Sequence, residues 1–506
     1  MRFVPAAFTM QLRPVTSVSA QELAVAKNML VADAAWASLT GALSGGVVLL
    51  AFALALGAGP LVVGLLAAIP FLTQVFQLPA LALVERVRQR KRIGVIGLTI
   101  ARALILLLAL LPFMPVGDGR QLTLLITVHL LISALGSIAS CAINSWFHQL
   151  LPPDVLGVFF ARRLLLATAL ACVGTLAAGL LVDHLPFGNP LHAYAIVFAA
   201  AGIAGFASSF YLARSPEPQM HDAGPPASLV QRLRVPLQDA NFRSLLVLLG
   251  AWNLASNLAA PFLTVYLLQQ LGYSLTVVTT LWVTSQLANA LTLLVWGRVS
   301  DRLSNKAVLV VALPAYFACM AGLVFTRVGE PYGLQLALLY LLHVVMGAAS
   351  GGIALATGNL GLKLAPQGQG TAYLAAIGLI CAFAGGLAPL AGGAIAQWFE
   401  LSQLSVVVRW VSPMREDEVS LLRFSHMEFL FALSALLGLY VLHALSRVRE
   451  GDEVSERQVV QELALEALRT VNHLSSVGGL LGSLVSFERL SERRMFSRLR
   501  RKPPAS

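Results

Sequence analysis

The second half of this chain repeats the landmarks of the first at a spacing of about 215 residues. Trp36 and Trp252 lie 216 residues apart, as do Glu85-Arg86 and Asp301-Arg302. The separation is 214 for His129 and His343, 215 for Asn144 and Asn359, and 214 for Pro152 and Pro366. Each pair falls at a similar place within or beside a long apolar run. A chain doubled in this way folds as two like bundles, and a working site belongs between them, where one bundle can rock against the other.

Composition sets the solvent. Hydrophobic residues make up 57% of the chain and charged residues 12%, whereas a soluble domain carries roughly 25% charged residues. Such a chain is a polytopic membrane protein, and 506 residues accommodate about a dozen spans of ~20 residues each. The net charge of +11 does not mark a nucleic-acid partner. The basic residues lie between apolar runs, which is a topology signal. Cys141, Cys172, Cys319 and Cys381 sit inside apolar segments without CxxC spacing, so they read as packing residues. No phosphate loop, Ser/His/Asp set or HExxH occurs, so neither an enzyme nor a cofactor is expected. Met220-His221-Asp222 is a poor ligand set in a linker, and no metal site is expected. Met1 to Lys27 lacks the compact apolar run of a signal peptide. Ser19 and Glu22 have capping-box spacing and should start a helix leading into the first span.

The expected fold class is all-α, with twelve transmembrane helices in two pseudo-symmetric six-helix bundles. The spans read as 29–57, 61–84, 93–115, 121–150, 163–185, 191–213, 244–271, 273–297, 306–327, 332–364, 369–399 and 424–446. Membrane strands are not expected, because the apolar runs exceed the length of a barrel strand and do not alternate. The units are an N-terminal segment (1–27), a first bundle (28–213), a linker (214–243), a second bundle (244–448) and a tail (449–506). Ser215-Pro216-Glu217-Pro218 and Gly224-Pro225-Pro226 mark the linker. Most Lys and Arg fall on the side of the two termini and linker, while the opposite loops hold only Arg120, Arg327, Arg409, Arg415 and Arg423. This places both termini in the cytoplasm, with the protein in the cell (inner) membrane. The loop before the last span carries Arg415-Glu416-Asp417-Glu418, read as solvated charge. In the tail, Val460, Leu463, Leu468, Val471 and Leu474 share a helical face, followed by a basic cluster from Arg493 to Lys502. That pattern suits an anionic inner leaflet, at about 1 kcal/mol per surface Lys or Arg. A helix packed on the loops and a disordered tail are the alternatives.

The segment Gly297-Arg298-Val299-Ser300-Asp301-Arg302-Leu303-Ser304-Asn305-Lys306 carries a family likeness. It is similar to the loop motif of the major facilitator superfamily of secondary transporters, here between helices 8 and 9. The loop between helices 2 and 3 repeats it as Leu81 to Arg92, with Leu81 in place of the leading Gly and Glu85 in place of Asp. The resemblance covers about residues 28 to 448. Helix 11 carries Gly385-Gly386-Leu387-Ala388-Pro389-Leu390-Ala391-Gly392-Gly393, where small residues allow close packing and Pro389 invites a kink. The resemblance implies alternating access, a central cavity lined by helices 1, 4, 7 and 10, and a small-molecule substrate. Gly297 would let a neighbouring helix approach, Asp301 would latch the inner side, and Arg302 and Lys306 would anchor the loop. Glu85 and Arg86 are the equivalents in the first half. Topology determination alone is the other reading of these charges.

Ionisable groups within spans are the remaining signal. Each costs roughly 2.5–3.5 kcal/mol at the bilayer centre, so each needs a partner or water. Asp33 and Arg102 are natural partners, as a structural pair or as a proton or substrate-anion site. His129, Asn253, Asn257, His343 and Asn359 are further candidates for the cavity, or packing residues. Gln74, Gln77, Gln286 and Asn289 read as bridges between helices. The function expected is secondary active transport of a small organic solute by a monomer, with a proton as coupling ion. An uncoupled facilitator, and a receptor or scaffold that uses the tail, stand as alternatives. If Asp301 latches the inner side, Asp301→Asn should slow or bias transport with expression intact, and unchanged kinetics would remove that role.

Overall fold

In a computed structural model, the structure describes residues 12–450 apart from 116, 153–155, 221–228, 327–331, 367–369 and 413–414. The amphipathic tail, the basic cluster and His221-Asp222 lie outside the described residues. Among the described residues, twelve helices are long and apolar enough to cross a membrane. In chain order they are span 1 (Ala20–Ala55), span 2 (Pro60–Val87), span 3 (Arg90–Phe113), span 4 (Gly119–Leu150), span 5 (Phe159–His184) and span 6 (Leu191–Arg214). The second set is span 7 (Ala240–Gln270), span 8 (Leu275–Arg302), span 9 (Asn305–Leu323), span 10 (Tyr332–Lys363), span 11 (Ala372–Trp398) and span 12 (Glu428–Arg447). The protein is therefore a multi-pass membrane protein. Lipid offers the backbone no hydrogen bonds, so each span satisfies its own amides as a helix. Span 1 begins with the expected capping box, in which Ser19 Oγ accepts from the Glu22 amide at 3.2 Å and Glu22 accepts from the Ser19 amide at 2.8 Å.

Two elements add to the twelve spans, and the second departs from the all-helical expectation. A helix, Leu229–Gln238, lies within the linker. Between spans 11 and 12 the chain forms an antiparallel hairpin of β1 (Gln403–Ser412) and β2 (Arg415–Ser425), with a register shift between Val406 and Val407. The β-branched run Val406-Val407-Val408 favours a strand, a signal overlooked when the loop was read for charge alone.

The packing repeats from one bundle to the other. Span 1 packs on spans 5 and 6, and span 7 on spans 11 and 12. Span 3 packs on spans 4 and 6, and span 9 on spans 10 and 12. Between the bundles, span 2 meets span 11 and span 5 meets span 8. Adding six to each span number maps one set of contacts onto the other, as a pseudo-dyad requires. The position of the break in the first span corresponds to a proline in the seventh, whose helix continues through it. Span 1 is interrupted at Gly45, followed by Gly46 with φ +49°, a left-handed conformation that glycine accepts freely. Pro261 lies 216 residues beyond Gly45, inside span 7.

Each bundle is tied on the linker side by a glutamate that the sequence reading passed over. Glu217, just past span 6, accepts from the backbone amides of Arg90 (2.7 Å) and Lys91 (3.2 Å), the first amides of span 3. The Arg90 guanidinium is buried on the same carboxylate at 3.2 Å, and also donates to the carbonyls of Ser145 (3.1 Å) and Pro218 (2.7 Å). Glu450, just past span 12, accepts from the amides of Asn305 (3.1 Å) and Lys306 (2.5 Å) and pairs with Lys363 at 3.2 Å. Carboxylates at helix N-termini meet unsatisfied amides and the positive end of the helix dipole.

Burial works to raise the pKa of the Glu450 carboxyl. Hydrogen bonds from the Lys306 backbone, from the Asn305 side chain and backbone, and from Lys363 outweigh it and hold the group below its ordinary value. A depressed folded value gives stability that is full above the unfolded value of about 4.3 and is lost as pH falls through the folded one. Glu450→Gln should therefore lower stability by about 1–2 kcal/mol at neutral pH. In thermal unfolding at a series of pH values, the gap to the parent should close on acidification; a gap that widens there would remove the cap from the account.

Candidate functional site

Among the described residues, the closest backbone contacts between the two bundles lie towards the side away from the linker. There the glycines of spans 2, 5 and 11 remove the Cβ atoms that would hold helices apart. A Cβ at Gly64 would sit 2.3 Å from the Pro389 carbonyl, and one at Gly393 2.8 Å from the Pro60 carbonyl. A Cβ at Gly179 would lie 2.4 Å from Thr279 Oγ1 across the span 5–span 8 seam. Asp183 closes the same seam. Its carboxylate accepts from the Leu275 amide (3.2 Å) and the Thr276 amide (2.6 Å), capping span 8 from the other bundle. Towards the middle of spans 2 and 11, Gly385 and Gly386 pack on Phe71 and Leu72.

The linker side differs. The end of span 2, Gln77–Val87, packs on spans 3 and 4 of its own bundle. The main apolar core runs through both bundles, but the linker-side end of the first has a separate core around Trp146, Phe147 and Leu30. Glu85, Arg86, Asp301 and Arg302 are all exposed there. A Cβ at Gly297 meets nothing within 4 Å, so the close helix approach expected at that glycine is not made in this structure. Lys306 serves through its backbone amide, which donates to Glu450. The charge that caps span 9 is thus Glu450.

The polar residues inside the spans divide into a cluster and a scatter. Asp33 of span 1 is buried, and its Oδ1 accepts from Ser208 Oγ of span 6 at 2.7 Å. Arg102 of span 3 and Arg163 of span 5 both act electrostatically on Asp33. Arg102 lies against span 6, where a Cβ at Gly205 would come within 2.3 Å of its Cδ. Arg163 extends over the Phe147 ring, its guanidinium carbon 5.3 Å from the centroid. The Nε atoms of both arginines are buried without an acceptor among the described residues. A cavity of about 460 Å³ opens between spans 1 and 5, bordered by Ala34, Ala37, Ser38, Phe160, Arg163 and Leu164. Arg163 was missed in the sequence because it stands at the edge of a span, where a basic residue passes for a topology signal.

The other candidates are dispersed. His343 is buried with a ring nitrogen 2.8 Å from the Leu339 carbonyl on its own helix. His129 is buried on span 4, hydrogen-bonded to the Leu66 backbone, and its Nε2 has no partner among the described residues. Asn253 donates to the Leu249 carbonyl at 2.9 Å and approaches Cys381 Sγ at 3.4 Å, while Asn257 donates to the Asn253 carbonyl at 2.9 Å. Asn359 is exposed. Trp252 packs edge-on against Tyr316 at 4.8 Å. Gln74 and Gln77 bond to each other within span 2. The repeat-related histidines are therefore not brought together, and no group of three or more His, Cys, Asp or Glu with metal-binding geometry occurs among the described residues.

Gly205 tests the importance of the cluster. Gly205→Ala should displace the Arg102 side chain, which is flexible, more than it disturbs the helices. Solute binding should fall several-fold with the unfolding temperature little changed; equal binding by the two proteins would show that Arg102 position is immaterial.

The family model described as Major Facilitator Superfamily matches residues 34–389. No curated protein matches the chain by sequence. Among solved structures, a mutant of the nucleoside transporter NupG is 14% identical with a TM-score of 0.63, covering 84% of this chain and 100% of that one. A D-xylose–proton symporter is 14% identical with a TM-score of 0.60, covering 85% and 98%. A bacterial homologue of the iron transporter ferroportin in the inward-facing state is 13% identical with a TM-score of 0.57, covering 84% and 98%. At these identities the likeness concerns the fold. The family match spans most of the chain, and with the twelve spans and paired bundles it shows that this chain belongs to the major facilitator superfamily of transporters.

Proposed function

We propose that the protein moves a small organic solute across the cell membrane by alternating access, with a proton as the coupling ion and Asp33 as its carrier. The observation that carries this reading is the one-sided closure of the two bundles. Spans 2 and 11, and spans 5 and 8, are joined on the far side by backbone-close glycine contacts and by the Asp183 cap. On the linker side the end of span 2, Gln77–Val87, packs within its own bundle. Rocking the bundles about the middle of these seams would break the Asp183 cap and bring the Glu85-Arg86 and Asp301-Arg302 loops towards the opposite bundle. With the linker and both termini in the cytoplasm, as the Lys and Arg distribution supports, the state described is inward-facing.

Asp33 suits the coupling role because it is a buried carboxylate with a hydroxyl donor, within the electrostatic reach of two guanidiniums. Protonation changes its hold on both arginines, which offers a route between the proton and a solute bound beside them. The structural relatives, a nucleoside transporter, a D-xylose–proton symporter and a homologue of an iron transporter, are in keeping with the transporter class.

Two measurements test the reading. With the four cysteines replaced, spin labels at Val87 and Leu374 should report a long distance in the inward-facing state and a shorter one when solute is supplied from the far side. A single distance under all conditions would sink alternating access. In proteoliposomes, Asp33→Asn should retain solute exchange and lose accumulation driven by a proton gradient. If uphill accumulation survives the substitution, the proton travels by another group or not at all.

A further inference from the structure

We propose that the transported solute carries a carboxylate on a small apolar body, seated on Arg163 in the cavity between spans 1 and 5; this rests on the transporter reading above. Three ionisable side chains act on one another here. The field of one carboxylate, Asp33, is shared by two guanidiniums, Arg102 and Arg163, neither in direct contact with it. One negative charge cannot neutralise two positive ones, and Ser208 already donates to Asp33 Oδ1. The cluster therefore has an excess positive charge in a setting where uncompensated charge is strongly unfavourable. Both Nε–H groups are also buried without acceptors among the described residues. An anion would meet both requirements together, as charge and as acceptor, and a guanidinium suits a planar carboxylate because it can donate two parallel hydrogen bonds.

Geometry distinguishes the two arginines. Arg102 is held over Gly205 against span 6, away from the opening. Arg163 borders the cavity, and its Phe147 contact fixes the guanidinium by one face, which leaves its edge to donate. The remaining walls are mostly hydrocarbon. Ala34, Ala37, Phe160 and Leu164 provide apolar surface, and Ser38 one hydroxyl. A volume of about 460 Å³ lies within the range of small-molecule sites. Apolar walls and a single excess charge favour a monoanion with an organic body over a sugar or a small inorganic dianion. The second bundle offers no rival cation at the matching positions, since Arg102 corresponds to Ala318 and Arg163 to Leu379 at the repeat spacing of 216.

The experiment uses the full-length purified protein and three probes, benzoate, phenylacetate and hexanoate, each paired with its neutral amide. Binding is read by calorimetry and by the shift in unfolding temperature. At least one carboxylate should bind saturably while its amide binds at least tenfold more weakly. Arg163→Gln should weaken that carboxylate at least tenfold. Arg163→Lys keeps the charge but loses the fork, and should weaken it less; it is the informative variant should the glutamine form not fold. Absence of binding by all three acids, equal binding of acid and amide, or unchanged affinity in both Arg163 variants would overturn the proposal. The transporter reading is tested separately in proteoliposomes. Carboxylate binding without flux would retain this site and reject transport, whereas flux of a neutral solute that is indifferent to Arg163 would retain transport and reject the site.

Discussion

The structure depends on backbone-close contact between its halves. Helices in lipid gain little from hiding apolar surface against each other, since the lipid is equally apolar. What holds them is dispersion at short range and the few polar bonds they share. Gly64, Gly179 and Gly393 make such contact possible on one side of the membrane. The amides of Leu275 and Thr276, which have no partner within their own helix, find one in Asp183 of the other bundle. An interface held by short contacts over part of its length suits a moving protein. It can be parted without unfolding either bundle, because each bundle has its own ties.

Those ties are the two glutamates beyond spans 6 and 12. Glu217 and Glu450 each cap the third span of their bundle, and each follows an arginine by three residues. They do the same work with different partners. Glu217 binds the buried Arg90, which also ties the Ser145 and Pro218 carbonyls, whereas Glu450 has Asn305 and the largely exposed Lys363. The first bundle is thus pinned more rigidly at its linker-side end, where it also has a separate apolar core. The Asp33, Arg102 and Arg163 cluster is built in this same bundle, so a firm frame surrounds the charged site, and the motion is left to the seam between bundles.

Symmetry of frame and asymmetry of chemistry were legible to different degrees. The doubling was readable because Trp36 and Trp252, or Glu85 and Asp301, keep their spacing through the chain. Symmetry was a weaker guide to function. It put His129 and His343 forward as a pair, yet each bonds to nearby backbone. It favoured Gly297 and Asp301 by their motif, while the cap on span 9 comes from Glu450, far along the chain. Arg163, without a counterpart in the repeat, was passed over, and it is the arginine that borders the cavity.

The number of spans, their order, their helical form and the two-bundle plan were determined by the sequence alone. Each follows from local facts: the thickness of the bilayer sets segment length, and the lack of water forces every segment to satisfy its own backbone. Tertiary structure decided which face of each span looks inward, which end of the molecule is closed, and which distant carboxylates meet which helix ends. The reason is physical. Lipid and neighbouring helices are both apolar, so a membrane span carries little periodicity to show its buried side. Asp33, Arg102, Arg163 and Ser208 come from four different spans, and only packing could bring them together.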